Sequence, residues 1–321
     1  MKKRERTGFI SMLFLGIALI LTGCGGGGGG GGNTSADYTY DPGSLDTAFG
    51  TGGVATYDGG GLDYGWSVTV DSNGKVLVAG YSYDGSNSDM AVWRFNADGS
   101  PDTAFGTGGV ATYDGGSNDY GWSVTVDSNG KVLVAGSTSG GYDMAVWRFN
   151  ADGSLDTAFG TGGVATYDGG GTDYGYSITI DSNGKVLVAG SSYSSSNDDM
   201  AVWRFNADGS LDTAFGTGGV ATYDNSGSHL DYAYSVTVDS NGKVLVAGRS
   251  YNGSYSDMAV WRFNANGSPD TAFGTGGVAT YDGGSDDYGR SVTVDSNGKV
   301  LVAGYSYNGS DYDVAVWRYI P

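Results

Sequence analysis

Residue types on which many enzymes depend are nearly missing from this 321-residue chain, which has one His (His229), one Cys (Cys24) and one Glu (Glu5). A single Cys excludes an internal disulfide and a Cys-based metal cluster. Basic residues are also scarce, 16 Lys and Arg against 35 Asp and Glu, and the net charge of -19 excludes electrostatic binding to a nucleic-acid backbone or an anionic membrane surface. What is abundant is glycine, 61 residues, close to three times its usual share of about 7%. Disorder does not follow from that excess. Hydrophobic residues make up 39% and aromatic ones 13%, enough apolar surface to bury a core.

Lys2, Lys3, Arg4 and Arg6 precede an apolar run of 13 residues, Phe9 to Leu21, too short to cross a bilayer. A basic start, such a run and then small residues predict a secretory signal peptide over residues 1–23. Leu21-Thr22-Gly23-Cys24 resembles the bacterial lipoprotein box, which implies cleavage before Cys24, acylation of its thiol and a membrane-anchored protein of the bacterial cell envelope. Gly25, where Asp would signal inner-membrane retention, implies the outer membrane. Eight glycines, 25 to 32, open a tether over residues 24–42. As a random coil it spans roughly 25 Å. Loss of residues 1–23 takes the net charge to -22 and leaves a chain without Glu.

From residue 43 onward the motif Gly-Ser-(Leu/Pro)-Asp-Thr-Ala-Phe-Gly-Thr-Gly-Gly-Val-Ala-Thr-Tyr-Asp recurs, beginning at Gly43, Gly99, Gly153, Gly209 and Gly267. Steps of 54 to 58 residues without a helix-period segment belong to propeller blades, giving repeats 43–98, 99–152, 153–208, 209–266 and 267–321. Within the first, Ser67 to Asp71 alternates as a strand, Ser72-Asn73-Gly74 is a tight turn and Lys75 to Gly80 returns. A loop from Tyr81 to Asp89, a third strand from Met90 to Phe95, a turn at Asn96 to Gly99 and a fourth strand from Gly109 to Tyr113 follow. The predicted fold is all-β, a five-bladed β-propeller of four-stranded antiparallel blades. The sequence after Trp317 has no fourth-type strand, whereas Val54 supplies one before the first blade. The ring is therefore expected to close with Gly53 to Tyr57 completing the last blade.

Leu155 to Gly163 (LDTAFGTGG), Asp181 to Gly190 (DSNGKVLVAG) and Ala201 to Gly209 (AVWRFNADG) resemble the bacterial delta-60-repeat family. The resemblance recurs five times from Gly43 to the C-terminus. Ser182-Asn183 stands where the family has Pro-Asp, and Asn206-Ala207 replaces Asn-Pro, both with turn chemistry kept. The resemblance implies a propeller and no enzymatic activity.

The residues point the same way: Asp recurs at repeat-equivalent positions, whereas catalysis needs a unique constellation. His229 reads as a solvated loop residue, and Gly106 to Gly109 (GTGG) as a turn lacking the Lys and helix of a phosphate loop. Asp71-Ser72-Asn73-Gly74 and Asn96-Ala97-Asp98-Gly99 look like half calcium loops, but the first ligand falls on Thr69 or Arg94 and no Glu closes the site. No cofactor is therefore expected; Ca2+ stays open as an alternative, with Asp63 and Asp89 able to meet around an ion. The repeated Arg94, Arg148, Arg204, Arg262 and Arg318 read as blade-interface residues paired with an Asp such as Asp102 or Asp63. The Trp before each reads as core.

Differences between the repeats concentrate between the fourth and first strands, Asp58 to Trp66 and equivalents, and between the second and third, Tyr81 to Asp89 and equivalents. A meander puts both connections on one face. That face would carry Tyr64, Trp66, Tyr120, Trp122, Tyr174, Tyr176, Tyr232, Tyr234, Tyr288 and Arg290 as binding residues. The expectation is a lipid-anchored, monomeric binding or scaffolding module for a protein or carbohydrate partner, with no nucleic-acid partner. A calcium-stiffened structural surface protein and a propeller hydrolase or lyase are the alternatives.

Overall fold

Asp71 shows why each repeat begins with a hairpin. Its Oδ1 accepts the amides of Asn73 (2.8 Å) and Lys75 (2.9 Å), its own N–H donates to the Lys75 carbonyl, and Gly74 takes the positive φ of 77° that the turn requires. The same arrangement recurs at Asp127, Asp181, Asp239 and Asp295. The computed structural model describes residues 43–138, 142–194, 197–224 and 230–320. The expected signal peptide, Cys24, the tether and His229 lie outside them. Leu45–Pro321 forms one compact unit.

The strands group into five antiparallel sheets. The first holds β1 (Asp63–Val70), β2 (Val76–Tyr83), β3 (Ser88–Phe95) and β4 (Val110–Tyr113), and the second β5 (Asp119–Val126), β6 (Val132–Thr138), β7 (Met144–Phe149) and β8 (Val164–Tyr167). The third holds β9 (Asp173–Ile180), β10 (Val186–Ser194), β11 (Asn197–Phe205) and β12 (Val220–Tyr223). The fourth holds β13 (Asp231–Val238), β14 (Val244–Tyr251), β15 (Ser256–Phe263) and β16 (Val278–Tyr281), and the last β17 (Asp287–Val294), β18 (Val300–Tyr307) and β19 (Tyr312–Tyr319). No helix occurs among the described residues. Strands pair in sequence order within each sheet, as a meander does.

The core lies between the sheets. Leu77, Ala79, Met90 and Val92 of the first sheet pack on Val124, Val134, Ala145 and Trp147 of the second, and the same layer recurs between each following pair. Each fourth strand adds an aromatic clamp onto the next sheet: Tyr113 meets Trp147 at 5.8 Å, Tyr167 meets Trp203 at 5.6 Å and Tyr223 meets Trp261 at 5.7 Å. The first strands of neighbouring sheets also lie side by side, and Ser67 Oγ accepts the Val124 amide at 3.2 Å. They are thus the inner strands of the assembly.

Charged residues staple the opposite end. Asp102 accepts Lys75 Nζ at 2.7 Å and Arg94 Nε at 2.6 Å, and Arg94 Nη1 reaches across to the Ala151 carbonyl of the next repeat. Of the two partners expected for this Arg, Asp102 holds it and Asp63 does not. The GTGG segment is a turn, whose Gly106 amide donates to the Asp152 carbonyl beyond β7 of the next sheet.

Five sheets of the expected kind are therefore present, and the expected closure is not seen among the described residues. The last sheet has three strands among the described residues, and Val54 bridges only to Gly50 of its own turn. On β19, Val314 and Val316 are 89% and 65% exposed, where their counterparts Met90 and Val92 are fully buried. Gly53 to Tyr57 lies against the first sheet, with Tyr57 5.8 Å from Trp93 and Ala55 packed on the same cluster. That is the place a fourth strand takes beside the following sheet, as Tyr113 of β4 does beside Trp147, so what is missing is the pairing with β19.

Candidate functional site

The expected binding residues were placed in connecting loops, and the structure moves them. Tyr64 and Trp66 lie on β1, Tyr120 and Trp122 on β5, Tyr174 and Tyr176 on β9, Tyr232 and Tyr234 on β13, and Tyr288 and Arg290 on β17. All ten therefore stand at the start of the inner strands. The Tyr81–Asp89 connection shrinks to Asp84–Asn87, because β2 runs to Tyr83 and β3 starts at Ser88.

Alternation is hidden by a bulge at the same place in every inner strand. Pairing of β1 with β2 jumps from Gly65 to Ser67, so Trp66 is the extra residue; Trp122, Tyr176, Tyr234 and Arg290 are skipped in the same way. A bulged residue leaves the ladder and is re-aimed. Large side chains at these positions consequently lean on neighbours in the adjacent sheets.

The rings stack in two runs. In the first, Tyr64 meets Tyr81 at 5.0 Å, Tyr81 meets Tyr120 at 4.9 Å, Tyr120 stacks on Trp122 at 5.7 Å and Trp122 meets Trp66 edge-on at 5.3 Å. In the second, Tyr174 stacks on Tyr176 (5.9 Å), which meets Tyr234 (5.9 Å), which stacks on Tyr232 (6.2 Å). Arg290 continues it, its guanidinium 4.1 Å from the Tyr234 ring. Such contacts fix the orientation of the rings. Tyr64 and Trp66 remain 43% and 55% exposed, together with Val68 and Val70 of the same strand, which no neighbouring sheet among the described residues covers on that side. Burial pushes the Tyr176 phenol up to about 12 and also raises Tyr232, whose OH donates to Asp198 at 2.6 Å, so these phenols stay neutral donors at ordinary pH.

A second feature was missed in the sequence because its members come from three elements. At each junction between sheets, an Asp at the start of one third strand meets an Asp after the fourth strand and an Asp opening the next inner strand. Carboxylate oxygens of Asp143, Asp168 and Asp173 lie within 4.8 Å of one another, as do those of Asp199, Asp224 and Asp231. Asp89 thus faces Asp114 and Asp119, not Asp63 as expected; burial first, then the Asp114 charge, pushes it up to about 6. Burial likewise pushes Asp119 and Asp257 up to about 6, the latter helped by the charges of Asp282 and Asp287. The third Asp is anchored by a glycine amide at three of these junctions: Asp119 Oδ2 by Gly115, Asp173 Oδ2 by Gly169 and Asp287 Oδ2 by Gly283, all at 2.7 Å.

A family described as a domain of unknown function (DUF5122) β-propeller matches five segments: residues 72–105, 128–159, 182–215, 240–273 and 296–321. Each match covers one second-strand hairpin and third strand of the repeats described above. The chain is a β-propeller repeat protein. No curated protein matches it. Among solved structures, the propeller is similar to extracellular domains 1–2 of Drosophila semaphorin 1b, at 13% identity and a TM-score of 0.42 over 78% of this chain, which spans about half (51%) of that one. It is similar to an ulvan lyase of polysaccharide lyase family 25, bound to a GlcA–Rha3S saccharide, at 14% identity and a TM-score of 0.43, covering 81% of this chain and 70% of the lyase. An endo-arabinase from Bacteroides thetaiotaomicron matches at 11% identity and a TM-score of 0.34, with 81% and 95% covered.

Proposed function

We propose that this propeller is a binding module which takes a protein or glycan along the aromatic ladder of its inner strands. The observation that carries the reading is the repetition of a bulged aromatic in four of five inner strands. Flat aromatic faces flanked by phenols and by Asp198 suit sugar rings or extended peptides. In a glycan array or pull-down with the full chain, exchange of Tyr64, Tyr120 and Tyr174 for Ala is expected to remove binding of any captured ligand. Unchanged capture rules the ladder out. The alternative of a hydrolase or lyase predicts turnover that disappears with one Asp in one repeat, whereas equivalent sites lose function gradually.

The reading includes an address. Residues 1–23 as a signal peptide, acylated Cys24 and the 24–42 tether would hold the propeller at the outer membrane of a bacterial cell envelope. A Cys24→Ser chain is expected to appear in the soluble fraction and to take up no labelled fatty acid; retention in the membrane fraction argues against the anchor.

Stiffening by Ca2+ is a second reading, favoured by the Asp junctions. Asp287 is 1% exposed, and its Oδ1 is buried without a hydrogen-bond partner while Oδ2 is held by Gly283. A buried carboxylate oxygen is satisfied by a cation as by a donor. A melting temperature that does not move between 1 mM-scale Ca2+ and chelator, where binding to the native state alone must raise it, removes this reading.

A further inference from the structure

Arginine has two distinct settings in this propeller. Arg94, Arg148, Arg204 and Arg262 occur at the same position of their repeats, and each lies within 2.9 Å of an Asp carboxylate. Arg249 and Arg290 break the repeat. The counterparts of Arg249 are Tyr81, Ser137, Ser191 and Tyr305, read from the register opposite each inner-strand Tyr. Those of Arg290 are Trp66, Trp122, Tyr176 and Tyr234, the bulged residues.

These two substitutions fall on adjacent sheets and converge on one spot. Arg249 lies 4.7 Å over the Tyr232 ring and 5.2 Å over Tyr288, while Arg290 lies 4.1 Å over Tyr234 and 5.7 Å over the same Tyr288. Their polar partners are neutral. Arg249 Nη1 donates to Ser256 Oγ and the Tyr288 hydroxyl, both at 3.3 Å, and Arg290 Nη2 donates to the Tyr305 hydroxyl at 2.6 Å. Arg249 Nε is buried and has no hydrogen-bond partner. Among the described residues, no carboxylate pairs with either guanidinium, although the chain carries 35 acidic residues.

Two permanent cations brought together without counter-charge, one with a donor left over, form an anion site waiting for its ligand. The long-range field of an acidic protein works against anions, so the attraction is local and selects a ligand whose charge sits at one point. We propose that Arg249 and Arg290 are a subsite for the carboxylate of a uronic-acid residue, at the end of a saccharide whose neutral rings lie on the aromatic ladder. The inference rests on the ladder reading above and adds the substrate class. A planar carboxylate matches the guanidinium fork, and the tyrosines on which the two guanidinium groups rest hold them in place for it.

The test is titration of the full chain with a tetrasaccharide of three neutral sugars ending in one glucuronic-acid residue, and with the methyl ester of that residue, beside Arg290→Trp and Arg249→Ser variants. These variants install residues that sister repeats already carry at the same positions, so folding is retained. The native chain is expected to bind the acid at least about tenfold more tightly than the ester, and each variant to lose that preference while still binding the ester. Equal affinity for acid and ester, or a preference that survives both variants, overturns the subsite and leaves the ladder standing. Acetate ion competing as well as the tetrasaccharide means that a free anion is the ligand and overturns the saccharide assignment. If neither oligosaccharide binds, the ladder as a saccharide platform falls together with the subsite.

Discussion

Gly190→Ala is expected to lower the melting temperature by about 10 °C or more, the equivalent of about 4 kcal/mol in a domain of this size. A Cβ at Gly190 would stand 1.6 Å from the Tyr174 carbonyl oxygen, closer than any atom pair tolerates. That oxygen belongs to the inner strand β9, which is fixed on one side by β10 and flanked by β5 and β13, so it has nowhere to move. The same approach recurs at Gly80, Gly136, Gly248 and Gly304, each against the carbonyl of a ladder tyrosine: Tyr64, Tyr120, Tyr232 and Tyr288. Gly184→Ala is the control. Its φ of 75° costs about 1 kcal/mol with an added Cβ, but nothing lies within 4 Å, and a loss of only a few degrees is expected. Calorimetry of the two variants decides the matter; equal losses would mean that turn strain, and not this close contact, governs. A variant that survives should also lose ladder binding, since the contact sets where Tyr174 stands.

That glycine explains what was legible in the sequence and what was not. The hairpins were legible because Asp71, Asn73 and Gly74 carry their turn chemistry in consecutive residues, and the third strand because Met90 to Phe95 is unbroken. The inner strands were cut short because the bulge at Trp66 interrupts period-two alternation, and because Gly65 and Gly80 resemble loop residues when they are close-approach residues. Pairing of the repeated Arg with Asp102 was foreseeable from the cost of burying an unpaired charge. The Asp junctions were not, since Asp143, Asp168 and Asp173 come from two sheets and the connection between them. Ring closure was argued from complementary strand types, which carry no information on whether Val54 and Trp317 meet; the short-range contacts of Tyr57 and Trp93 are satisfied without it.

Asp156→Asn, nearly isosteric, is expected to destabilise the propeller by about 3 kcal/mol at neutral pH, because it leaves two cations without their shared anion. Asp156 is buried, accepts Lys131 Nζ and Arg148 Nε at 2.7 Å each, and lies next to the contact of Arg148 with the Phe159 ring at 4.4 Å. Arg148 Nη1 also donates to the Ala207 carbonyl, so a shift of this guanidinium loosens the next repeat as well. The pH dependence identifies the charge as the cause. Burial by itself would raise the Asp156 pKa, but the hydrogen bonds and charges of Lys131 and Arg148 outweigh it and hold the carboxyl below its ordinary value; the same balance applies at Asp102 and Asp212, and at Asp270 the Lys243 hydrogen bond leads. Below about pH 4 the unfolded carboxyl takes up a proton that the folded one still refuses, so stability is full above that range and drains away as pH falls through the lowered folded value. The stability gap between native chain and Asp156→Asn, read from urea midpoints at pH 7 and pH 3, should therefore narrow on acidification. A gap of constant size would assign the loss to packing instead. Since four such centres titrate together, the native propeller should unfold steeply in acid, at the end of the sheets opposite to the ladder.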